Sequence, residues 1–199
     1  MKKALFLGVS LLAIAVAHAQ NPAGVFKPFK VDIALGVAVP QGAGSSAGVL
    51  FAIEPKYAIM DQLSVGLRME GAITARGFAD KNGNSVSGKI AANGSYLATG
   101  DYYFSNETFR PFAGAGAGIF TLASASFNNT TTTVGAATKF GGMIRAGFEV
   151  GHFRLGVEYN LIGKSDEIAD NGNGTTTTVS SKNGYLGIKL GFFAGGGRH

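Results

Sequence analysis

Cysteine and tryptophan are both absent from the 199 residues, histidine occurs three times, proline five times, and charged residues make up only 15%. Without cysteine no disulfide staples the fold, and with so few histidines a transition-metal site has almost no ligands to draw on. Ordinary globular chains carry about 25% charged residues. The Lys and Arg that remain are scattered, with no run that would mark a nucleic-acid face, so no nucleic-acid partner is expected. Beyond residue 19 no apolar run approaches the roughly 20 residues that a membrane helix needs. A chain this uncharged and without a membrane helix is unusual for a soluble secreted domain. It is ordinary for a barrel whose outer wall faces lipid.

The first nineteen residues have a different character. Lys2 and Lys3 precede an apolar run over 4–16, which closes on Ala17, His18 and Ala19. A charged start, an apolar stretch too short to span a bilayer and an Ala-x-Ala site form a secretory signal peptide, cut before Gln20. The expected organisation is therefore a signal peptide over 1–19, an N-terminal segment over 20–28, a single domain over 29–193 and a C-terminal tail over 194–199. Losing Lys2 and Lys3 lowers the formal net charge from the +5 of the whole chain, so part of the basic balance belongs to the discarded leader.

Glycine is abundant, at 31 residues, and phenylalanine is high, at 15. The remaining sequence is almost wholly period-two. Val31, Ile33, Leu35, Val37 and Val39 alternate with Lys30, Asp32, Ala34, Gly36 and Ala38. Phe153, Leu155, Val157, Tyr159 and Leu161 alternate with Arg154, Gly156, Glu158 and Asn160. Such alternation gives strands with one apolar face and one polar or small face. Eight strands are predicted, at about 29–39, 48–59, 63–76, 89–104, 109–121, 138–150, 153–163 and 183–193. Connections at 60–62, 105–108 and 151–152 are tight, whereas those at 40–47, 77–88, 122–137 and 164–182 are longer and polar. An even number of strands with short turns at one end and long loops at the other is the pattern of an antiparallel up-and-down transmembrane β-barrel.

Aromatic residues repeat that frame. Phe29, Tyr57, Phe104, Phe109, Phe148, Phe153 and Phe192 fall at strand ends on the short-turn side, as a girdle at a membrane interface would. On the polar faces lie Lys30, Asp32, Glu54, Lys56, Arg68, Glu70, Asp101, Arg145, Glu149, Arg154, Glu158 and Lys189, equal in acids and bases. A two-residue turn at Gly151 and His152 sets Glu149 opposite Arg154 and Arg145 opposite Glu158. Glycine at its first position suits type II′. A hairpin pivoting on Asp61 sets Glu54 against Arg68. These cross-strand pairs are expected to neutralise one another in a narrow lumen, because an isolated buried charge is costly. A soluble barrel of the lipocalin or streptavidin kind alternates too, with its apolar face turned inward, and alternation alone does not separate the two. Crowding of Gly and Ala on the charged face, and the balance of charge there, favour the lipid-facing reading.

With the strands placed, the chain resembles the small outer-membrane β-barrel family that includes OmpX, Ail, the OmpA barrel and OmpW. The resemblance rests on AIEPKY (52–57), LSVGLRME (63–70), SYLATGDYYF (95–104), FRPFAGAGAGIF (109–120), GFEVGHFRLGVEYNLIG (147–163) and GYLGIKLGFF (184–193). It implies an eight-stranded barrel in the outer membrane of a Gram-negative cell, with a periplasmic N-terminus and the long loops outside. Its implied partners are outer-membrane lipid, lipopolysaccharide, the barrel-assembly machinery and a surface ligand at the loops. Such chains usually end on an aromatic residue, whereas here Phe192 and Phe193 are followed by six more residues.

Nothing in the sequence points to catalysis. His152 falls in a tight turn and His199 is the last residue, with no nucleophile or ligand set beside either. The glycine-alternating run at 114–118 sits inside a strand and opens no helix, so it lacks the context of a phosphate loop and is better read as small residues easing curvature. Acidic and amide residues at 80–84 and 166–173 lack calcium-loop spacing. No cofactor and no metal are expected. The expected role is non-catalytic, with a charged plug in the lumen and four outer loops free to meet partners. The alternative is an OmpW-type conduit for small solutes, which needs an apolar upper lumen; Arg68, Arg145 and Glu158 are expected to make this one polar. A soluble periplasmic ligand-binding barrel stands third.

Overall fold

The computed structural model describes residues 25–41, 45–79, 85–127, 132–170, 176–181 and 183–197. The expected signal peptide, the 80–84 loop and His199 lie outside the described residues.

Eight strands close into one antiparallel barrel: β1 (Phe29–Pro40), β2 (Ser45–Met60), β3 (Leu63–Ala79), β4 (Ser85–Tyr103), β5 (Phe109–Phe127), β6 (Thr132–Val150), β7 (Phe153–Ile162) and β10 (Tyr185–Gly195). Each barrel strand pairs with its neighbour in sequence, and β10 returns to β1 over a register running from Lys30 opposite Gly195 to Pro40 opposite Tyr185. Within the closed part of the barrel every strand is paired on both sides, as a bilayer demands, while β6 before Gly141 pairs with β5 alone.

Two expectations need correction. The 164–182 connection contains a further hairpin, β8 (Ser165–Asp170) and β9 (Thr176–Ser181), paired antiparallel outside the barrel. Its second strand is rich in Thr and Val, whose branched side chains favour extended pairing, and its polarity had suggested a loop. The connections at 77–88 and 122–137 are likewise largely strand. The β3–β4 ladder runs to Ala79 opposite Ser85, and the β5–β6 ladder to Phe127 opposite Thr132. Once two antiparallel strands are in register, each added polar pair extends the ladder without an apolar face of its own.

The turns follow their chemistry. Gly151 has φ +59° and no non-glycine residue among the described ones, His152 included, has positive φ, so both central residues cannot be left-handed and the β6–β7 turn is type II′. This turn sets Glu149 opposite Arg154 and Arg145 opposite Glu158. The β2–β3 ladder has Ile53 opposite Met69 and Lys56 opposite Gly66.

The distribution of side chains inverts that of a soluble barrel. Leu35, Val49, Phe140, Val157 and Leu190 stand on the outer wall, with Leu35 66% and Phe140 77% exposed. Lys56, Arg68, Asp101, Glu149 and Glu158 are buried within, Arg68 completely. Period-two alternation sorts each strand's residues onto two faces, one of which must enter the lumen; the closed barrel turns the charged, glycine-rich face inward.

Candidate functional site: the charged lumen

Eight strands leave an interior just wide enough for side chains to fill. Inward positions carry Lys30 and Asp32 from β1, Glu54 and Lys56 from β2, Arg68 and Glu70 from β3, and Asp101 from β4. Arg145 and Glu149 come from β6, Arg154 and Glu158 from β7, and Lys189 from β10. They form ion-pair tiers: the two nearer the short turns are joined through Arg154, and the third pairs within itself.

Nearest the short turns, Glu149 Oε1 accepts from Lys30 Nζ at 2.6 Å, Arg154 Nη1 at 2.6 Å and the Tyr103 hydroxyl at 2.8 Å. Above it, Arg145 forks between two carboxylates. Its Nη1 and Nη2 donate to Glu54 at 2.8 and 2.7 Å, and its Nε and Nη2 to Asp101 at 2.7 and 3.0 Å. Lys56 and Arg154 also reach Asp101 Oδ2, each at 2.8 Å, and Lys56 lies 2.6 Å from Asp32 Oδ2. The third tier joins Arg68 Nη1 to Glu158 Oε1 at 2.5 Å and Nη2 to Asn160 at 2.9 Å and Ser95 at 3.0 Å. Lys189 bridges Glu70 and Glu158 at 2.7 and 2.5 Å, and the Tyr185 hydroxyl donates to Glu70 at 2.5 Å.

Strand parity explains why these groups enter the lumen. It does not explain their partners. Glu149 meets Arg154, its cross-strand neighbour. The expected neutralisation of Arg145 by Glu158 and of Glu54 by Arg68 is replaced by reaches across the barrel: Arg145 takes Glu54 and Asp101, and Arg68 takes Glu158. Adjacent inward side chains point toward the axis, so a long guanidinium finds its carboxylate on the far wall. Gly114 makes one such reach possible. A Cβ there would stand 2.1 Å from Asp101 Oδ1, in the space where Asp101 and Arg145 meet.

Two features of the lumen were missed. Arg110 is a seventh inward cation; its guanidinium lies 4.2 Å from the Tyr103 ring centre, and Nη1 is 3.9 Å from Glu149. It shares strand parity with Gly114 and Gly116, which would have identified it. The second is a correction to the expectation of a polar upper lumen. In the long-loop half, Ala38, Leu50, Ala72, Leu97, Phe120, Met143 and Ile162 pack with the Tyr185 ring into a buried apolar layer. Leu50 has the parity of Glu54, and Leu97 that of Asp101.

Chemically, the arrangement is a plug. Leu97, Phe120 and Arg68 are wholly buried, and the charged groups engage one another. The cavity between the second and third tiers measures about 30 Å³ and is lined by Asp32, Glu54, Arg145, Arg154, Glu158 and Lys189 among others. That is room for about two water molecules, and Asp32 Oδ1, which has no hydrogen-bond partner, lines it. Among the described residues no group of three His, Cys, Asp or Glu has a geometry suited to a metal ion. His152 lies at the short-turn end, its ring stacked 5.7 Å from that of Phe192.

Outside, Phe29, Phe104, Phe109, Phe148, Phe153 and Phe192 are exposed at the short-turn end, with Tyr57 half-buried beside them. Phe109 meets Phe148 at 5.3 Å and Phe153 meets Phe192 at 6.0 Å between ring centres. Tyr102, 5.4 Å from Phe104, adds a further exposed ring.

No family model and no curated protein sequence matches the chain. Solved structures do match. Ail, the attachment invasion locus protein of Yersinia pestis, superposes with a TM-score of 0.53 at 13% identity, covering 84% of this chain and 99% of Ail. Neisserial surface protein A gives 0.53 at 17% identity, covering 84% and 96%. The outer membrane protein OprG of Pseudomonas aeruginosa gives 0.50 at 11%, covering 86% and 98%. At such identities the likeness speaks to architecture alone, and it agrees with the closed antiparallel ladder. The chain has the fold of the small eight-stranded outer-membrane β-barrels.

Proposed function

We propose that this chain is a non-catalytic integral barrel of a Gram-negative outer membrane, plugged through its lumen and acting as a structural or surface-interaction protein through its four long-loop connections. The observation that carries the reading is the inversion of polarity: large apolar side chains line the outer wall while the ion pairs are buried inside. A soluble barrel with that outer wall would present a continuous apolar band to water, far beyond the few hundred Å² that monomers tolerate. In this reading the short turns face the periplasm, and the exposed rings at that end rest among lipid headgroups. The β8–β9 hairpin and the extended β5–β6 ladder project outward, where lipopolysaccharide or a surface ligand would meet them. The barrel-assembly machinery would insert the chain after removal of the leader.

Absence of catalysis is part of the proposal. It is supported by the lumen carboxylates being engaged by cations and by the place of His152 at the short-turn end. A second reading, a conduit for small apolar solutes, draws on one observation, the apolar layer in the long-loop half of the lumen. That layer is packed side chain against side chain with the charged tiers beneath it, so plugging is favoured.

The test is to refold the chain from Gln20 in detergent micelles and in plain buffer, then compare boiled and unboiled mobility in gels. A heat-dependent shift that requires detergent is expected. A folded monomer in plain buffer would overturn the membrane reading and make the lumen a ligand pocket.

A further inference from the structure

The short-turn mouth of the barrel carries a set of contacts that the plug itself does not need. Before β1, the backbone N–H groups of Val25 and Phe26 donate to the two carboxylate oxygens of Asp61 at 3.1 and 3.3 Å. Asp61 sits in the β2–β3 turn, and its carbonyl accepts from Arg110 Nη2 at 2.6 Å. The Arg110 guanidinium is layered between two rings, 3.9 Å from that of Phe26 and 4.2 Å from that of Tyr103. Pro28 O accepts from Ala58 N at 2.7 Å, tying the same segment to β2.

The other end of the chain meets it. β10 runs two residues beyond Phe193, and Gly195 and Gly196 then take φ of +82° and +63°. These values suit glycine and bend the tail beneath β1. A Cβ at Gly195 would stand 2.5 Å from Phe29 O, and one at Gly196 3.0 Å from the Lys30 side chain. The bend lets Gly196 N donate to Phe29 O at 2.9 Å and Lys27 N donate to Gly197 O at 2.8 Å. Residues 27–29 are thereby held from both sides, by β2 and by the tail.

We infer that the short-turn mouth is a docking site for the chain's own two ends, which form a latch: 25–28 lies over Arg110 and Asp61, 194–197 clasps it from beneath, and each end holds the other in place. The latch closes the lumen on this side and locks the β1–β10 seam, the one place where strands far apart in sequence must meet to complete the barrel. This assigns a use to the residues after Phe193 and to Arg110. An aromatic under a guanidinium, with two successive N–H groups on one carboxylate, gives the mouth directional recognition of an extended segment.

Hydrogen exchange on the refolded chain from Gln20 tests the inference. The amides of Val25, Phe26, Lys27, Ala58 and Gly196 should exchange on the order of tenfold or more slowly than free peptide. Asp61→Ala should speed exchange at 25–27 and also at Gly196, and Gly195→Ala should speed exchange at Gly196 and also at 25–27. Amides at the centre of β6 should stay protected in both variants, which separates release of the latch from unfolding. Free-peptide exchange at 25–27 in the unaltered chain would overturn the proposal. So would variants that each free only their own end. Where Gly195→Ala does not refold, the unaltered chain and Phe26→Ala, which leaves every strand intact, still decide it.

Discussion

Arg145 offers the sharpest measurement of how the lumen is held together. Four hydrogen bonds of 2.7 to 3.0 Å tie it to Glu54 and Asp101. Arg145→Ala leaves Glu54 with Thr99 and a Lys56 ammonium 3.6 Å away, while Asp101 keeps Lys56 and Arg154. Removing one member of a buried pair costs about 3–5 kcal/mol. Asp101→Ala should cost a similar amount, because it strands part of three cations. The double variant removes one charge of each sign and restores the balance, so it should lose about 1–3 kcal/mol less than the sum. The control is Arg145→Ala with Glu158→Ala. These residues are opposed across β6 and β7, yet Glu158 bonds to Arg68 and Lys189. Their side chains share no bond, so their coupling should be smaller than that of Arg145 with Asp101. Urea unfolding in lipid vesicles reads the free energies of the unaltered chain, the three single variants and the two double variants. The chain has no tryptophan, so far-UV circular dichroism and gel mobility serve as probes. Should Arg145 couple more strongly to Glu158 than to Asp101, the trans-lumen pairing is wrong and the cross-strand ladder is restored.

Other variants test the walls and the plug. Val157→Arg places a charge on the outer face of β7 and should block assembly into vesicles, since a mid-bilayer arginine costs about 2–4 kcal/mol; normal insertion would reverse the assignment of faces. Gly114→Ala should destabilise by about 1–3 kcal/mol, because the added methyl meets the Asp101 carboxylate and the Gly100 carbonyl; an unchanged urea midpoint would refute the close approach. Phe120→Ala should cost about 3–5 kcal/mol through the cavity it opens in the apolar layer. In planar bilayers neither the unaltered barrel nor this variant should pass ions steadily, because the charged tiers remain below; a stable conductance in the unaltered chain would favour the conduit.

Much of this architecture is legible in the sequence because a strand has only two faces. Alternation from Val31 to Val39 and from Phe153 to Leu161 sorts the residues onto two faces, and the two-residue turn at Gly151 and His152 fixes the β6–β7 register. The same parity holds Arg110, Leu50, Leu97 and Phe120 inward, although charge alone draws attention to acids and bases and hides the apolar layer. The β8–β9 hairpin was obscured differently: polar strands outside the barrel lack the apolar alternation by which buried strands announce themselves.

Partners across the lumen belong to tertiary structure alone. Arg145 finds Glu54 at 91 residues' separation and Lys30 finds Glu149 at 119. Neither distance follows from a ladder, because ladders specify neighbours along the wall and the lumen joins opposite walls. Local alternation and turn chemistry decide which side chains share a face, and the crowding of Gly and Ala with balanced charge marks the face that is enclosed. Which of them touch depends on closure of the barrel, since only the closed cylinder brings β2, β4 and β6 around one axis within reach of a single guanidinium.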